Sequence, residues 1–558
     1  MEFSRRRTRR AAIRAGVIGL GLLLWARPER FGERTMRVEA SREAAVRAAE
    51  GFVARSGISL SGYRRTSWFQ DDLGADDDTF LIRHVGVARA ESLAAEQTRP
   101  WVWRVRWYRP LEKEEVRVAV DARDGRVAGW SHALPDDRKG ADLTPEEARR
   151  AAESFLLTHF SRDVADTTRY VLKESSSERR EGRRDHEFVW ERRDLAVGEG
   201  RFRTAATVQG DRVDGAALTF KAPEAFRREL RRETVVDVAA RLGTMVLVLL
   251  TVVWGTILFI RAFRDGALSW RIPNRLALLS LLALLLTTLN GLSTFFSGYG
   301  TAMALSTYVG ESVLSSLLRV GSQAAAVGLA LALVEAMWRR TYPGEVSPGG
   351  WCSALRGRAS PRVYGEALAL AAAFLLWSRG VASAAAWAGQ RLFPQYGAAS
   401  GFAPVPELSA YLPALRLQGP VGAAMGMLAL LGVFLIWRHY VRRTWIILAV
   451  AGTFLLLSDA IPEARTFGHF AGVGALDLLS AGATLWFVFR VVRFRLLAYF
   501  FAAWAGVFLS AGIRLLGASD LAFYEVNGAA MILIGLAPVG YMIKAGSGVG
   551  GREKRNRE

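Results

Sequence analysis

Between residues 236 and 543 one apolar run follows another, and the short breaks between them alternate in charge. A hydrocarbon core about 30 Å thick is crossed by roughly 20 helical residues. Nine runs are read on that scale: 238–260, 276–297, 313–337, 364–386, 418–437, 444–459, 469–489, 496–516 and 522–543. Basic clusters fall at every second break: Arg261, Arg264, Arg271 and Arg275; then Arg339, Arg340, Arg356 and Arg358; then Arg438, Arg442 and Arg443; then Arg490, Arg493 and Arg495; and last Lys544 with the tail GREKRNRE. The alternate breaks, such as SGYGTAMALSTYVGES, are nearly free of Lys and Arg. Cytoplasmic loops carry the excess of positive charge, so the basic breaks are assigned inside and the others outside. Trp338, Trp437 and Trp445 are expected at the inner interface, where an amphipathic ring is favoured.

The head MEFSRRRTRR precedes a short apolar run, AAIRAGVIGLGLLLWA. Leu24 and Ala26 do not form a small-x-small cleavage site, so residues 1–29 are read as an uncleaved anchor with its start inside. Residues 30–235 then lie outside, and ten helices return the basic tail, 544–558, to the inside. A net charge of +20 invites a nucleic-acid reading. None is expected, because much of the Arg sits in the inner breaks. The lone cysteine, Cys352, falls in an inner break, so the outer region has no disulfide and depends on its core.

The outer region repeats itself. SREAAVRAAEGFV at 41–53 aligns without a gap on TPEEARRAAESFL at 144–156, matching Glu43 with Glu146, Arg47 with Arg150, Ala48 with Ala151, Glu50 with Glu153 and Phe52 with Phe155. Ser41 and Thr144 read as helix N-caps, the second reinforced by Pro145 and a Glu147 capping box. In WVWRVRWYRP, Trp101, Trp103, Val105 and Trp107 fall on one face and Arg104, Arg106 and Tyr108 on the other, the alternation of a half-buried strand. EEVRVAVDARDGRVAGWSHALP predicts a hairpin turned at Asp124-Gly125, matched by RFRTAATVQGDRVDGAALTFKAP turned near Gly210-Asp211. DHEFVWERR supplies the second counterpart of the Trp strand, with His186, Phe188 and Trp190 on one face.

One helix on a small antiparallel sheet, given twice and ending in a "vDxxdGrV" hairpin, resembles the PepSY module over residues 38–225. The resemblance implies an extracytoplasmic domain for binding or inhibition. The boundaries expected are 30–136 and 137–235 for two repeats, each with its own core, and 236–543 for the bundle. The fold class is mainly α: a polytopic membrane helix bundle of about ten transmembrane helices carrying an α+β extracytoplasmic domain. This layout resembles some members of the CAAX-protease and bacteriocin-processing group. That group implies a Glu-Glu-x-x-x-Arg helix with later Phe-x-x-x-His and His-x-x-x-Asn or Asp helices. The bundle contains no adjacent Glu pair, and Glu146-Glu147 lies in the outer repeat, where it begins a helix. His439, among Arg438, Arg442 and Arg443, reads as an interfacial residue. His-Glu-x-x-His is absent, and His439 and His469 are assigned to opposite faces, which sets haem aside.

Polar residues remain in the outer half of the bundle: Asn290, Glu311, Arg379, Asp459, His469, Asp477, Glu525 and Asn527. Ionisable groups in membrane spans face the bundle interior or water and are site candidates by default, the plain alternative being helix ends in contact with water. Asn290 and Asp477 are expected deeper than the rest. His469 and Asp477 are eight residues apart and share a helix face. They are the candidates for catalysis, and with Asp459 for a metal, since Asp and His hold metals or relay protons. No cofactor is assigned. The reading is a non-catalytic relative of intramembrane proteases, acting in binding, assembly or regulation. Its partners would be membrane lipid and a peptide or membrane protein at the outer face. An active peptidase with an atypical site, or a transporter, are the alternatives.

Overall fold

The computed structural model describes residues 2–345, 361–393, 405–456 and 467–555. Helix α2 (Arg42–Arg55) starts on Ser41, whose side chain accepts from the Ala44 N–H. Helix α5 (Pro145–Phe160) starts on Thr144 with the expected capping box to Glu147. These hydrogen bonds hold the Glu147 carboxyl below its usual pKa. The strands are β1 (Arg64–Asp71), β2 (Trp101–Tyr108), β3 (Glu115–Asp121), β4 (Val127–Ala133), β5 (Tyr170–Arg179), β6 (Arg184–Val197), β7 (Gly200–Gln209) and β8 (Arg212–Lys221). Both hairpins turn where the sequence places them. Gly125 and Gly210 take φ of 70° and 66° there, a conformation that suits glycine. Two short helices that the strand pattern does not signal, α3 (Ala75–Val85) and α4 (Val87–Gln97), intervene between β1 and β2.

The expectation of two separately cored units is corrected. All eight strands form one antiparallel sheet in the order β1-β2-β3-β4-β8-β7-β6-β5. The halves join where Gly129, Trp130 and Ser131 of β4 pair with Ala217, Ala216 and Gly215 of β8. Each half alone would leave an unpaired edge, which the seam removes. The small residues at the seam let the backbones meet: a Cβ on Gly129 would already touch the Ala216 carbonyl at 3.4 Å. α2 lies over β2 to β4 and α5 over β6 to β8. Trp103 and Trp190, one from each half, belong to a single continuous core.

A short helix, α6 (Glu224–Arg231), leads into the bundle. Arg227 and Arg231 tie it to Asp77 and Asp76 of α3. The bundle helices are α7 (Val235–Arg264), α8 (Arg271–Asn290), α9 (Leu305–Thr341), α10 (Pro361–Leu392), α11 (Gln418–Tyr440), α12 (Thr444–Leu455), α13 (Phe467–Phe487), α14 (Leu496–Ala518) and α15 (Ala522–Arg555). Eight described helices are long and apolar enough to cross a membrane, against ten expected. One not counted is α12, described over 12 residues. The other is α1 (Glu2–Trp25), whose arginines run through its first half and leave a short apolar stretch. α1 nevertheless lies along α10. Glycines permit that approach, since a Cβ on Gly380 would fall on the backbone of Gly19. The three tryptophans expected near the inner ends differ in their surroundings. Trp338 is buried, and Trp437 donates to Thr251 at 3.2 Å, so both pack between helices, whereas Trp445 is exposed.

The soluble domain is docked onto one end of the bundle, through three of the breaks that lack Lys and Arg clusters. Thr66 donates to the Ser293 carbonyl, Leu111 to that of Thr301, and the Phe69 N–H to the Ser409 hydroxyl. Val38 N–H donates to the Ala518 carbonyl at 2.8 Å, and the Ser519 hydroxyl donates back to Val38 at 2.6 Å. Strand β2 is therefore buried on both faces, not on one. Its arginine face is covered by the bundle, with Tyr108 against Tyr299 at 5.2 Å between ring centroids.

Candidate functional site

Two places concentrate polar chemistry. The first is a cleft of about 350 Å³ between α2 and α5. Phe52, Val127 and Leu218 contribute apolar lining, and Arg47, Arg55, Arg99, Arg126 and His159 contribute basic groups. No carboxylate lines it. The His159 ring is held edge-on to Phe52 at 5.6 Å and against Phe155 at 4.5 Å. Burial, and then the Arg55 charge, push its pKa below the usual histidine value. Phe52 and Phe155 are matched positions of the sequence repeat, so the packing that joins the halves also shapes the cleft. Asp124 neutralises part of the rim through Arg99 at 3.5 Å and Arg126 at 3.7 Å. Among the described residues, no carboxylate pairs with Arg47 or Arg55. What the arrangement can do is bind an anionic group in a basic, aromatic-walled cleft.

The second place is the strap between α10 and α11, residues 405–417, which carries two 3-10 turns. Two of the sequence candidates act on it. Asn290, the last residue of α8, pairs reciprocally with the backbone of Leu412, both bonds at 2.7 Å. Asn527 accepts from the Ala414 N–H at 3.2 Å and donates to the Phe523 carbonyl at 2.8 Å. Tyr524 donates to the Leu408 carbonyl, and the Arg42 guanidinium of the soluble domain donates to that of Ser409. Glu407, 5% exposed, lies 3.8 Å from Arg514. The strap is thus a keystone between the bundle and the soluble domain.

The other candidates are dispersed. Glu311 and Glu525 are exposed near the starts of α9 and α15. Arg379 lines an intramembrane cavity from α10. His469 is buried near the start of α13, its ring 5.6 Å from that of Phe393. Asp477 sits half-buried near the middle of α13. Asp459 and Cys352 lie outside the described residues. Among the described residues, no group of three or more His, Cys, Asp or Glu side chains is placed to hold a metal ion.

Sequence reasoning missed Glu407, because a carboxylate in a loop gives no signal of burial. It also missed the cleft. Arg47, Arg55 and His159 lie along amphipathic helices, and only the docking of α2 beside α5 makes them neighbours. No family model matches the chain, and no curated protein or solved structure is similar to it at the level of a match.

Proposed function

We propose that this multi-pass membrane protein is a non-catalytic receptor or assembly factor, whose extracytoplasmic domain binds an acidic segment of a peptide or neighbouring membrane protein in the cleft between α2 and α5. The single observation that carries the reading is the basic lining of that cleft without a carboxylate. The two halves of the sheet are read as PepSY-like copies, supported by the matched helix starts and the order of strands about the β4–β8 seam. Docking onto the strap keeps the bound segment over the membrane, where effective concentration favours a membrane-tethered partner.

The test uses the full chain in detergent and a labelled Glu-rich peptide. Binding is expected to weaken steeply as salt approaches about 1 M, where screening acts over about 3 Å. The double change Arg47→Glu and Arg55→Glu should weaken it by roughly tenfold or more. The sign with pH follows from His159. Its folded pKa is depressed, so it is neutral near pH 7 and gains charge only as pH falls below the ordinary histidine value. An acidic ligand favours that charged form, so affinity should rise as pH falls from 7.5 toward 5.5 while the peptide keeps its charge, about one to three units above the glutamate pKa. Binding indifferent to salt and to both substitutions would remove the reading. Cleavage of a membrane-embedded peptide that stops in Asp477→Asn or His469→Ala would put an intramembrane peptidase in its place.

The side of the membrane is tested separately. A reporter active only outside the cytoplasm should work when fused after residue 230 and stay silent within 340–362 or after 550. Activity at either of the last two positions reverses the orientation.

A further inference from the structure

Between its helices the bundle holds a partly open cavity of about 1490 Å³, lined by α8, α9, α10, α11, α12, α13 and α14. This exceeds the roughly 300–1000 Å³ of sites for drug-sized ligands. Its walls are mostly Leu, Ile, Val, Ala and Phe. Along α14 the lining runs from Leu496 to Ser510, a climb of roughly 20 Å at 1.5 Å per residue. That exceeds half of a hydrocarbon core about 30 Å thick, or one leaflet.

One end of this apolar space is basic. Arg275 near the start of α8, Arg438 near the end of α11, and Arg490 and Arg493 after α13 all line it. These positions lie at the end of the bundle away from the soluble domain, because α8 and α14 end, and α11 begins, at the docked end. Other arginines at that end are neutralised: Arg340 by Asp265 at 2.7 Å, Arg495 by Glu366 at 2.6 Å and Arg339 by Glu335 at 2.6 Å. A fifth lining arginine, Arg379, lies within α10; among the described residues, none of the four at the basic end has a carboxylate within ion-pair distance. Arg438 goes further, for its Nη1 is buried and makes no hydrogen bond. A buried guanidinium nitrogen without an acceptor is costly, and a membrane offers one abundant acceptor at this depth, the phosphate of a lipid.

We propose that the cavity is a binding site for one phospholipid of net negative headgroup, its phosphate held by Arg275, Arg438, Arg490 and Arg493 and its acyl chains lying along α14. Positive-inside bias alone accounts for arginines at these breaks. It does not account for four of them lining the same end of one apolar cavity, as deep as a leaflet, with no carboxylate among the described residues within ion-pair distance. Basic pockets between membrane helices are where anionic headgroups bind.

The experiment places the full chain in nanodiscs of equal phosphatidylglycerol and phosphatidylcholine, transfers it to detergent, and identifies retained lipid by native mass spectrometry. Wild type should retain phosphatidylglycerol in preference to phosphatidylcholine. Arg438→Gln with Arg493→Gln should reduce that preference by roughly tenfold or more. Ala424→Trp, which fills the cavity, should reduce retention of both lipids. Arg340→Gln, at a paired arginine outside the cavity, should leave the preference intact. Equal retention of the two lipids by wild type overturns the proposal, as does an unchanged preference in the double variant. Equal loss in Arg340→Gln, or displacement of the lipid by inorganic phosphate alone, overturns it as well.

Discussion

Trp103→Ala is expected to destabilise the soluble domain by about 3–5 kcal/mol, the range for removing a large aromatic side chain from a close-packed core. Trp103 is fully buried, meets Phe69 edge-on at 5.6 Å and donates its indole N–H to the Ala40 carbonyl at 2.9 Å. Alanine would leave a cavity and an unmatched carbonyl at the entry to α2. For a unit of about 200 residues, such a loss lowers the thermal midpoint by roughly 10 °C. The neighbouring Arg104→Ala is the control. Arg104 pairs with Asp72 at 2.7 Å, but the pair is partly exposed, at 30% and 21%, and such pairs contribute about 0–1 kcal/mol. Thermal unfolding of the full chain, followed by tryptophan fluorescence, separates the two. Similar shifts in both variants would mean that the Trp face of β2 is not the core face.

What the sequence made legible follows a physical pattern. Local signals survived: Ser41 and Thr144 cap the helices they were expected to cap, and Gly125 and Gly210 turn their hairpins. Those features depend on a few consecutive residues. Long apolar runs were equally legible, since length and composition alone qualify a helix to span. The partition of the sheet was not, because the pairing of Trp130 with Ala216 joins strands distant in the chain. A tandem repeat reads the same whether its copies stand apart or share one sheet. The burial of Arg106 was also invisible. Alternation in WVWRVRWYRP correctly assigns two faces, yet it cannot say that a membrane bundle will cover the second.

The candidate residues show the same limit. Asn290 and Asn527 were singled out as polar groups in apolar runs, and both turn out to hold the backbone of one strap. An amide that supplies both donor and acceptor suits that task. Their convergence required the strap, which carries no motif. The four arginines at the basic end of the cavity were legible as topology markers only, whereas Arg379 was singled out as a polar group within a span. Their lack of carboxylate partners is a property of three-dimensional placement.

Arg106→Ala should also be strongly destabilising, and for a different reason. Arg106 is 3% exposed and its Nη2 donates to Glu115 at 2.6 Å, while its Nη1 reaches the Phe296 and Ser297 carbonyls at 3.3 Å. Removing one partner of a buried pair costs about 3–5 kcal/mol, because the other charge stays behind in a poor solvent. Here Arg117 still contacts Glu115 from the outside, which places the expected loss toward the lower end of that range. The variant should therefore unfold more easily, and backbone amides of residues 292–301 should exchange hydrogen faster as the sheet loosens from the bundle. Arg106→Met with Glu115→Met separates the two roles. Replacing both charges by apolar groups of similar length should restore most of the lost stability. It cannot restore the bonds to Phe296 and Ser297, so exchange at 292–301 should stay fast in the double variant. If the double variant slows exchange to the wild-type rate, Arg106 serves the fold of the domain and not its attachment, and the coupling of the soluble domain to the bundle must pass through the strap and Val38 instead.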